Sequence, residues 1–348
     1  IRQGKIWSAP DRPFHVVTPS VGIPFGLRLT PNLHSARAWR TVANWSLARA
    51  AAKAAKRLKL QPQHIWLGSP WHQAQQVRAA TGAGGKSVLH IYDELAHSPL
   101  LAMWQRELLT SWEADAMEDA DATLCSSQSQ FEDRQAIGRT VVHLPNGIPD
   151  SFLDPPSSAP VPMLERLRSL PRPRYVYSGV ADLRLDHAYF TALVRCVRVA
   201  GGSVIFLGNV DRNRSPEIAS LLASGGPVHS FGSVPHSHLP ALLAESDCCL
   251  HAHVSSPFTD GMAPEKINEY LAAGKPVVAR RTRELGLRFG SPDAEMIHLT
   301  DTPEAFAEAS LAAAMAPTDP TVVARRRAEA ARYTWTAVSR QLVKVLIR

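Results

Sequence analysis

Short runs of β-branched and apolar residues alternate with longer stretches of helical periodicity along the chain, the pattern of parallel α/β sheets. In the first half the runs fall at 14–18, 64–67, 87–92, 122–126 and 141–144. A second series follows at 174–178, 203–207, 228–231, 248–251, 276–279 and 296–299. Between the two series lie Pro155, Pro156, Pro160, Pro162, Pro171 and Pro173, a density unfit for a continuous element and expected to form a linker over 151–173. The pattern predicts two Rossmann-like α/β domains, over 1–150 and 174–332. Three helical segments, at 303–314, 319–332 and 336–346, close the chain.

With 348 residues and 45% hydrophobic content, each domain can bury its own core. No stretch approaches the roughly 18 apolar residues that span a bilayer, and the N-terminus lacks a signal-peptide pattern, so a cytoplasmic protein is expected. The first residue is Ile1 and no strong strand follows it at once, as though the first β-α unit were missing. Cys125, Cys196, Cys248 and Cys249 sit in apolar segments without paired metal-ligand spacing and are expected to be reduced and buried. The net charge of +7 asks for an anionic partner. No recognised nucleic-acid motif accompanies it, and none is expected to bind.

The most informative segment reads Gly261-Met-Ala-Pro-Glu-Lys-Ile-Asn-Glu-Tyr-Leu-Ala-Ala-Gly-Lys-Pro-Val-Val-Ala279. Pro264 suits the first turn of a helix, Gly274 its left-handed stop, and Pro276 the start of a buried strand. Such a helix begins where ligands bind in open α/β sheets, at the carboxyl ends of the strands. Its first amides favour an anion, and Lys266 adds a compact positive charge. Glu265 and Glu269 lie near the same face, so a carboxylate can accept hydroxyl hydrogen bonds while the lysine faces phosphate. A diphosphate linked to a ribose asks for that pair.

These residues resemble the donor helix of the GT-B glycosyltransferases, which commonly reads Pro-x-Lys-x-x-Glu-Tyr-Leu-Ala-x-Gly-Lys-Pro-Val-Val. Tyr177-Ser-Gly179 is similar to the glycine turn of that family's donor domain, with Arg184 placed like a basic phosphate contact. Gly232-Ser-Val234-Pro235 is similar to the base-binding turn, and the region of Trp335 to the closing helix, over 333–348, that often crosses back to the first domain. The resemblance implies a GT-B fold with two domains facing a cleft and a nucleotide-sugar donor held by Gly179, Arg184, Val234, Glu265, Lys266 and Glu269. It implies no bound cofactor and no required metal. Many retaining members carry a glutamate where this chain has Gly261, which leaves the stereochemical outcome open.

In the first half, His90-Ile-Tyr-Asp93-Glu94-Leu-Ala-His97 ends a strand with acidic and imidazole groups in the following loop. Glycosyl transfer to a hydroxyl benefits from a carboxylate or imidazole base and from cations at the leaving diphosphate. Asp93 is the leading base candidate, with His97 beside it; the competing role for Asp93 is a helix cap. With Trp66, Asn146-Gly147 and the helical stretch 113–121, this half resembles acceptor domains of bacterial surface-polysaccharide transferases of the teichuronic-acid type. That implies a glycan or lipid-linked acceptor.

Other signals carry less. Gly85-Lys86-Ser87 ends a loose phosphate-loop pattern, but a helical stretch precedes it and a strand follows, the reverse of a real phosphate loop. His251/His253 and His236/His238 have a spacing that puts each pair on one strand face without an evident third metal ligand, and His251 and His253 are candidate donor-sugar contacts. The stretch 37–59, from Arg37 to Lys59, interleaves Trp39 and Trp45 with lysines and arginines. It suits either a core helix with a solvated basic face or a peripheral contact with an acidic membrane on the inner face. Alternatives to transfer are a GT-B-shaped sugar-nucleotide epimerase and a non-catalytic nucleotide-sugar-binding protein.

Overall fold

The computed structural model describes residues 6–8, 15–17, 33–70, 72–137, 140–154, 160–290 and 296–347. The chain divides into two compact units, Ile1–Leu144 with Lys344–Arg348, and Pro145–Val343. In the first, β1 (Ile6–Ser8) pairs antiparallel with β2 (His15–Val17). The run at 14–18 is therefore a strand, but not a member of the parallel sheet. Only six residues separate β1 from β2, and a parallel return needs a crossover of about a dozen or more.

The parallel sheet of this unit has the order β3 (Ile65–Leu67), β4 (Ser87–Ile91), β5 (Ala122–Cys125) and β6 (Thr140–His143). Ala48, from the helix Leu33–Arg57, packs with Ala74 and Val77 of the helix Ala74–Thr81 against Leu89 and Ile91 of β4. Lys86 donates to the carbonyl of Val345, and the Gly85 backbone donates to Gln63, so the glycine-lysine-serine stretch leads into a strand as its context predicted.

The second unit carries six parallel strands, β7 (Arg174–Ser178), β8 (Ser203–Leu207), β9 (Val228–Ser230), β10 (Cys248–His251), β11 (Val277–Arg280) and β12 (Ile297–Thr300). Their order is β12-β11-β10-β7-β8-β9, the doubly wound arrangement of dinucleotide-binding sheets. β7, β8 and β10 are buried along their whole length, as expected of strands covered on both faces. Alternation sends Val176, Ile205 and Cys249 to one core with Tyr270 and Leu271, and Tyr175, Tyr177, Phe206 and Leu250 to another with Phe190 and Phe306.

The proline-dense stretch differs from expectation. Val161–Arg168 is a helix, because Pro162 falls in its first turn, where a missing N–H costs nothing. This stretch groups with the second unit: Phe152 and Leu167 are buried in its core, and Ile148 exchanges backbone hydrogen bonds with Tyr333 and Trp335. A Cβ at Gly147 would lie 2.5 Å from the Trp335 indole, so glycine is what lets that ring close on the Asn146-Gly147 turn. The final helices are Pro303–Met315, Pro320–Ala331 and Trp335–Ile347. Of the cysteines, Cys125, Cys248 and Cys249 are buried and Cys196 is half-buried, all as free thiols.

Phe306 is fully buried and packs edge-on to Tyr189, with ring centroids 5.4 Å apart. Phe306→Ala is expected to cost about 3–5 kcal/mol, lowering the urea midpoint without changing the slope of the transition.

Candidate functional site

β7 and β10 are neighbours, yet the chain continues from β7 to β8 on one side and from β10 to β11 on the other. That reversal marks the point where open α/β sheets bind ligands, beyond the carboxyl ends of the strands. Gly179 follows β7 there with φ +118°, a conformation L side chains rarely adopt. The helix Glu265–Ala272 starts beside it, with Pro264 just before the first helical residue and Gly274 left-handed at φ +71° after the last turn. Lys266 Nζ donates to the Tyr177 hydroxyl at 2.8 Å and lies 4.3 Å from the centre of that ring. It stands 2.9 Å from where a Gly179 Cβ would be, so any larger residue would displace the lysine. The Tyr270 hydroxyl accepts from the Ser178 backbone N–H at 2.8 Å, tying helix to strand end.

Around this centre the polar groups are partitioned. Arg184 forks onto Asp182, with contacts of 2.8–3.2 Å. Burial alone would raise the Asp182 carboxyl, but hydrogen bonds from Arg184 and the charges of Arg184 and Lys266 hold it below its ordinary value. His251, at the end of β10, and His253 are buried with ring centroids 4.2 Å apart. Burial pushes both imidazoles well below their ordinary value, and Lys266 and Arg184 push the same way, so both are neutral. Neither ring nitrogen of His251 has a hydrogen-bond partner among the described residues.

Glu269 is 5% exposed, and its Oε1 lies 2.5 Å from His236 Nε2. Val234, two residues before His236, is half-buried and packs on the core, while Glu265 is exposed. The 236–238 pair does not share a strand face: His236–His238 is a 3-10 turn. Among the described residues no cluster of three or more His, Cys, Asp or Glu could hold a metal. Gly261 ends the short helix Pro257–Asp260. A cavity of about 580 Å³ lined by Asp247, Lys275, His298 and Arg326 lies at the opposite, amino ends of the strands, away from this crevice.

In the first unit, Asp93 is half-buried in the loop after β4, and His97 is exposed on the 3-10 turn Leu95–His97. The capping position of that turn belongs to Glu94, not Asp93, and carries no side-chain cap. Glu94 is not available for chemistry. Its carboxylate pairs with both terminal nitrogens of Arg134 at 2.9 and 3.0 Å, and Glu113 takes Nε and the second nitrogen at 2.8 and 2.6 Å. Burial raises the Glu113 carboxyl despite Arg134.

No family model matches the sequence, and no curated protein resembles it in sequence. Solved structures do resemble the fold. Sucrose-phosphate synthase from Thermosynechococcus elongatus superposes with a TM-score of 0.69 at 17% identity, covering 99% of this chain and 86% of that one. Anabaena HepE in complex with UDP gives 0.63 at 15% identity, over 85% and 81%. The UDP-forming trehalose-phosphate synthase from Burkholderia vietnamiensis gives 0.64 at 16%, over 93% and 79%. The chain has the GT-B fold. Within it, the structure gathers Gly179, Arg184, Lys266, Glu269, His251 and His253 at the carboxyl end of one sheet and sets Asp93 and His97 in one loop of the other unit. Three supports escaped the sequence reading: Asp182 under Arg184, His236 on Glu269, and the Arg134 ion triad. The only signal for the first was its spacing of two from Arg184; the others join residues far apart in the chain.

Arg134→Met strands two carboxylates in a largely buried position. It is expected to destabilise the protein by about 3–5 kcal/mol, read as a lower urea midpoint.

Proposed function

We propose that this chain transfers a sugar from a nucleotide-sugar donor to a hydroxyl of a glycan or lipid-linked acceptor in surface polysaccharide or glycoconjugate synthesis. The observation that carries the reading is the meeting of Lys266, the Gly179 turn and the buried Glu269 at the β7/β10 switch point. In this reading the donor diphosphate lies over Gly179, where no Cβ stands in its way, and against Lys266. Arg184 turns from Asp182 to phosphate. Glu269 accepts from the ribose hydroxyls, Glu265 stands at the rim, and the turn holding Val234 takes the base.

The neutral His251 and His253 suit hydroxyls better than phosphate, because an uncharged imidazole both donates and accepts. As the glycosidic oxygen leaves, charge grows on the diphosphate, and fixed cations beside it stabilise that charge without reorganising. Lys266, already oriented, supplies this, and Arg184 joins it once turned to phosphate, so the reading invokes no metal. Asp93 is proposed as the base that takes the acceptor proton, with His97 assisting.

The basic helix supports a peripheral membrane contact. Its exposed residues Val42, Trp45, Arg49, Lys53 and Lys56 recur every three or four positions along one face, and Trp45 is 57% exposed with the Arg49 guanidinium 4.5 Å from its ring. Arg40 is not on that face; it is buried and donates to Asp115 at 2.7 Å. The side chains of Arg37 and Trp39 lie outside the described residues, and Lys59 follows the helix end. No helix among the described residues is long and apolar enough to cross a membrane. An indole flanked by cations suits an anionic headgroup layer, each cation contributing about 1 kcal/mol.

Lys266→Ala and Glu269→Ala are each expected to weaken nucleotide-sugar binding about ten- to a hundredfold in titration calorimetry, with thermal melting still cooperative. Unchanged affinity in both variants refutes the site. The protein is expected to sediment with anionic vesicles at low salt, to be released by high salt, and to ignore neutral vesicles. Salt-insensitive failure to bind either kind refutes the membrane contact.

A further inference from the structure

His236 has no role in the donor reading above, yet it makes the closest polar contact to that reading's ribose carboxylate. It opens the 3-10 turn directly after the 232–235 turn that is proposed to hold the base. Its ring lies 5.1 Å from the Phe152 ring at 43°, and Phe152 is itself anchored in the core. From that seat Nε2 reaches Glu269 Oε1 at 2.5 Å. The Glu269 side chain is 6% exposed and that of His236 is 52% exposed, so the imidazole forms the solvent side of the contact.

A glutamate has three rotatable side-chain bonds, and a buried carboxylate is costly unless hydrogen-bonded. An imidazole packed on an aromatic ring and donating to one carboxylate oxygen restricts that freedom and leaves the second oxygen's lone pairs for a ligand. The contact also alters the histidine. The hydrogen bond to Glu269 raises the His236 imidazole above its ordinary value against the effect of burial, and the charges of Glu269 and Glu265 add to the rise. Those two carboxylates act from the donor helix, and the Phe152 ring packs on the imidazole at a 43° tilt.

We propose that His236 is a positioning residue of the donor site, locking the Glu269 carboxylate in the orientation that accepts the ribose hydroxyls of a nucleoside diphosphate. Because His236 continues the chain from Val234 and Pro235, the same contact ties the base-binding turn to the ribose carboxylate. Base and ribose are then recognised as one rigid unit. This rests on the donor reading and adds to it a residue that need not touch the nucleotide.

The test is calorimetric titration of the full chain with UDP, GDP and ADP separately, for the wild type, His236→Leu, His236→Gln, Glu269→Ala and the double variant His236→Leu/Glu269→Ala. His236→Leu is expected to weaken the bound nucleotide about tenfold, the scale of one lost hydrogen bond to a charged group. His236→Gln retains an N–H donor of similar reach and is expected to bind within about threefold of wild type. In the Glu269→Ala background the leucine substitution is expected to add nothing, since the carboxylate it would position is gone. Wild-type affinity in His236→Leu, equal losses in the leucine and glutamine variants, or additive losses in the double variant each overturn the positioning role while leaving the donor reading intact. A wild type that binds none of the three nucleotides overturns the donor reading and this inference with it.

Discussion

In the second unit the chain leaves β7 and β10, two adjacent strands, in opposite directions across the sheet. Crossovers between parallel strands are right-handed, so connections that depart to opposite sides pack their helices on opposite faces. No connecting helix then covers the carboxyl ends of the central pair, and the residues after Ser178 and His251 border a crevice. In this unit Gly179, Lys266, His251 and His253 border that gap. Gly179 fills the turn beyond β7 because a Cβ there would meet Lys266 Nζ, and Gly208 follows β8 because a Cβ would lie 2.1 Å from the Gly179 carbonyl. Two glycines in contact let the backbone run low at the mouth of the crevice, and a bulky ligand group can approach it.

Electrostatics give the crevice its sign. Lys266 is held by a phenol and an aromatic face, which orient the ammonium without neutralising it. Arg184 forks onto Asp182, whose carboxylate also feels the Lys266 charge and is held below its ordinary value. The two histidines are driven neutral by burial and by the cations, so they neither add to the charge nor cancel it. What remains is one oriented ammonium, in hydrogen-bond contact with a phenol rather than a carboxylate, beside a glycine turn. That is more specific than the chain's overall charge of +7, which many anions would satisfy.

The sequence made this half of the molecule legible because its signals are local. Pro264, Gly274 and Pro276 bracket one helix and open one strand within a dozen or so residues, and the apolar runs of β7, β8 and β10 need no partner to be recognised. Val161–Arg168 was hidden because a proline reads as a breaker until its place in the first turn is known. The pairing of β1 with β2 was hidden because three-residue strands carry almost no periodicity. His236 and Glu269 stand 33 residues apart, and Glu94 and Arg134 stand 40 apart; neither pairing leaves a mark in local pattern. Such contacts come from the register of strands and helices, which a single sequence does not print.

The two units also handle buried charge in opposite ways, and this bears on what each can do. After β4, the guanidinium of Arg134 is enclosed by Glu94 and Glu113, a compact set in which the cation is more than compensated. Truncating one member of such a cluster is costly, so it fixes the loop that carries Asp93 and His97 rather than offering a charge to a ligand. Beyond β7, by contrast, the ammonium of Lys266 is kept oriented without a carboxylate at its Nζ contact, and the carboxylate of Glu269 is aligned by a half-exposed histidine instead of being closed in by an arginine. The first unit thus presents an ion cluster beside the loop of Asp93 and His97, with His97 near enough for its charge to act on Glu113, and the second presents an oriented ammonium with Glu269 on the same helix.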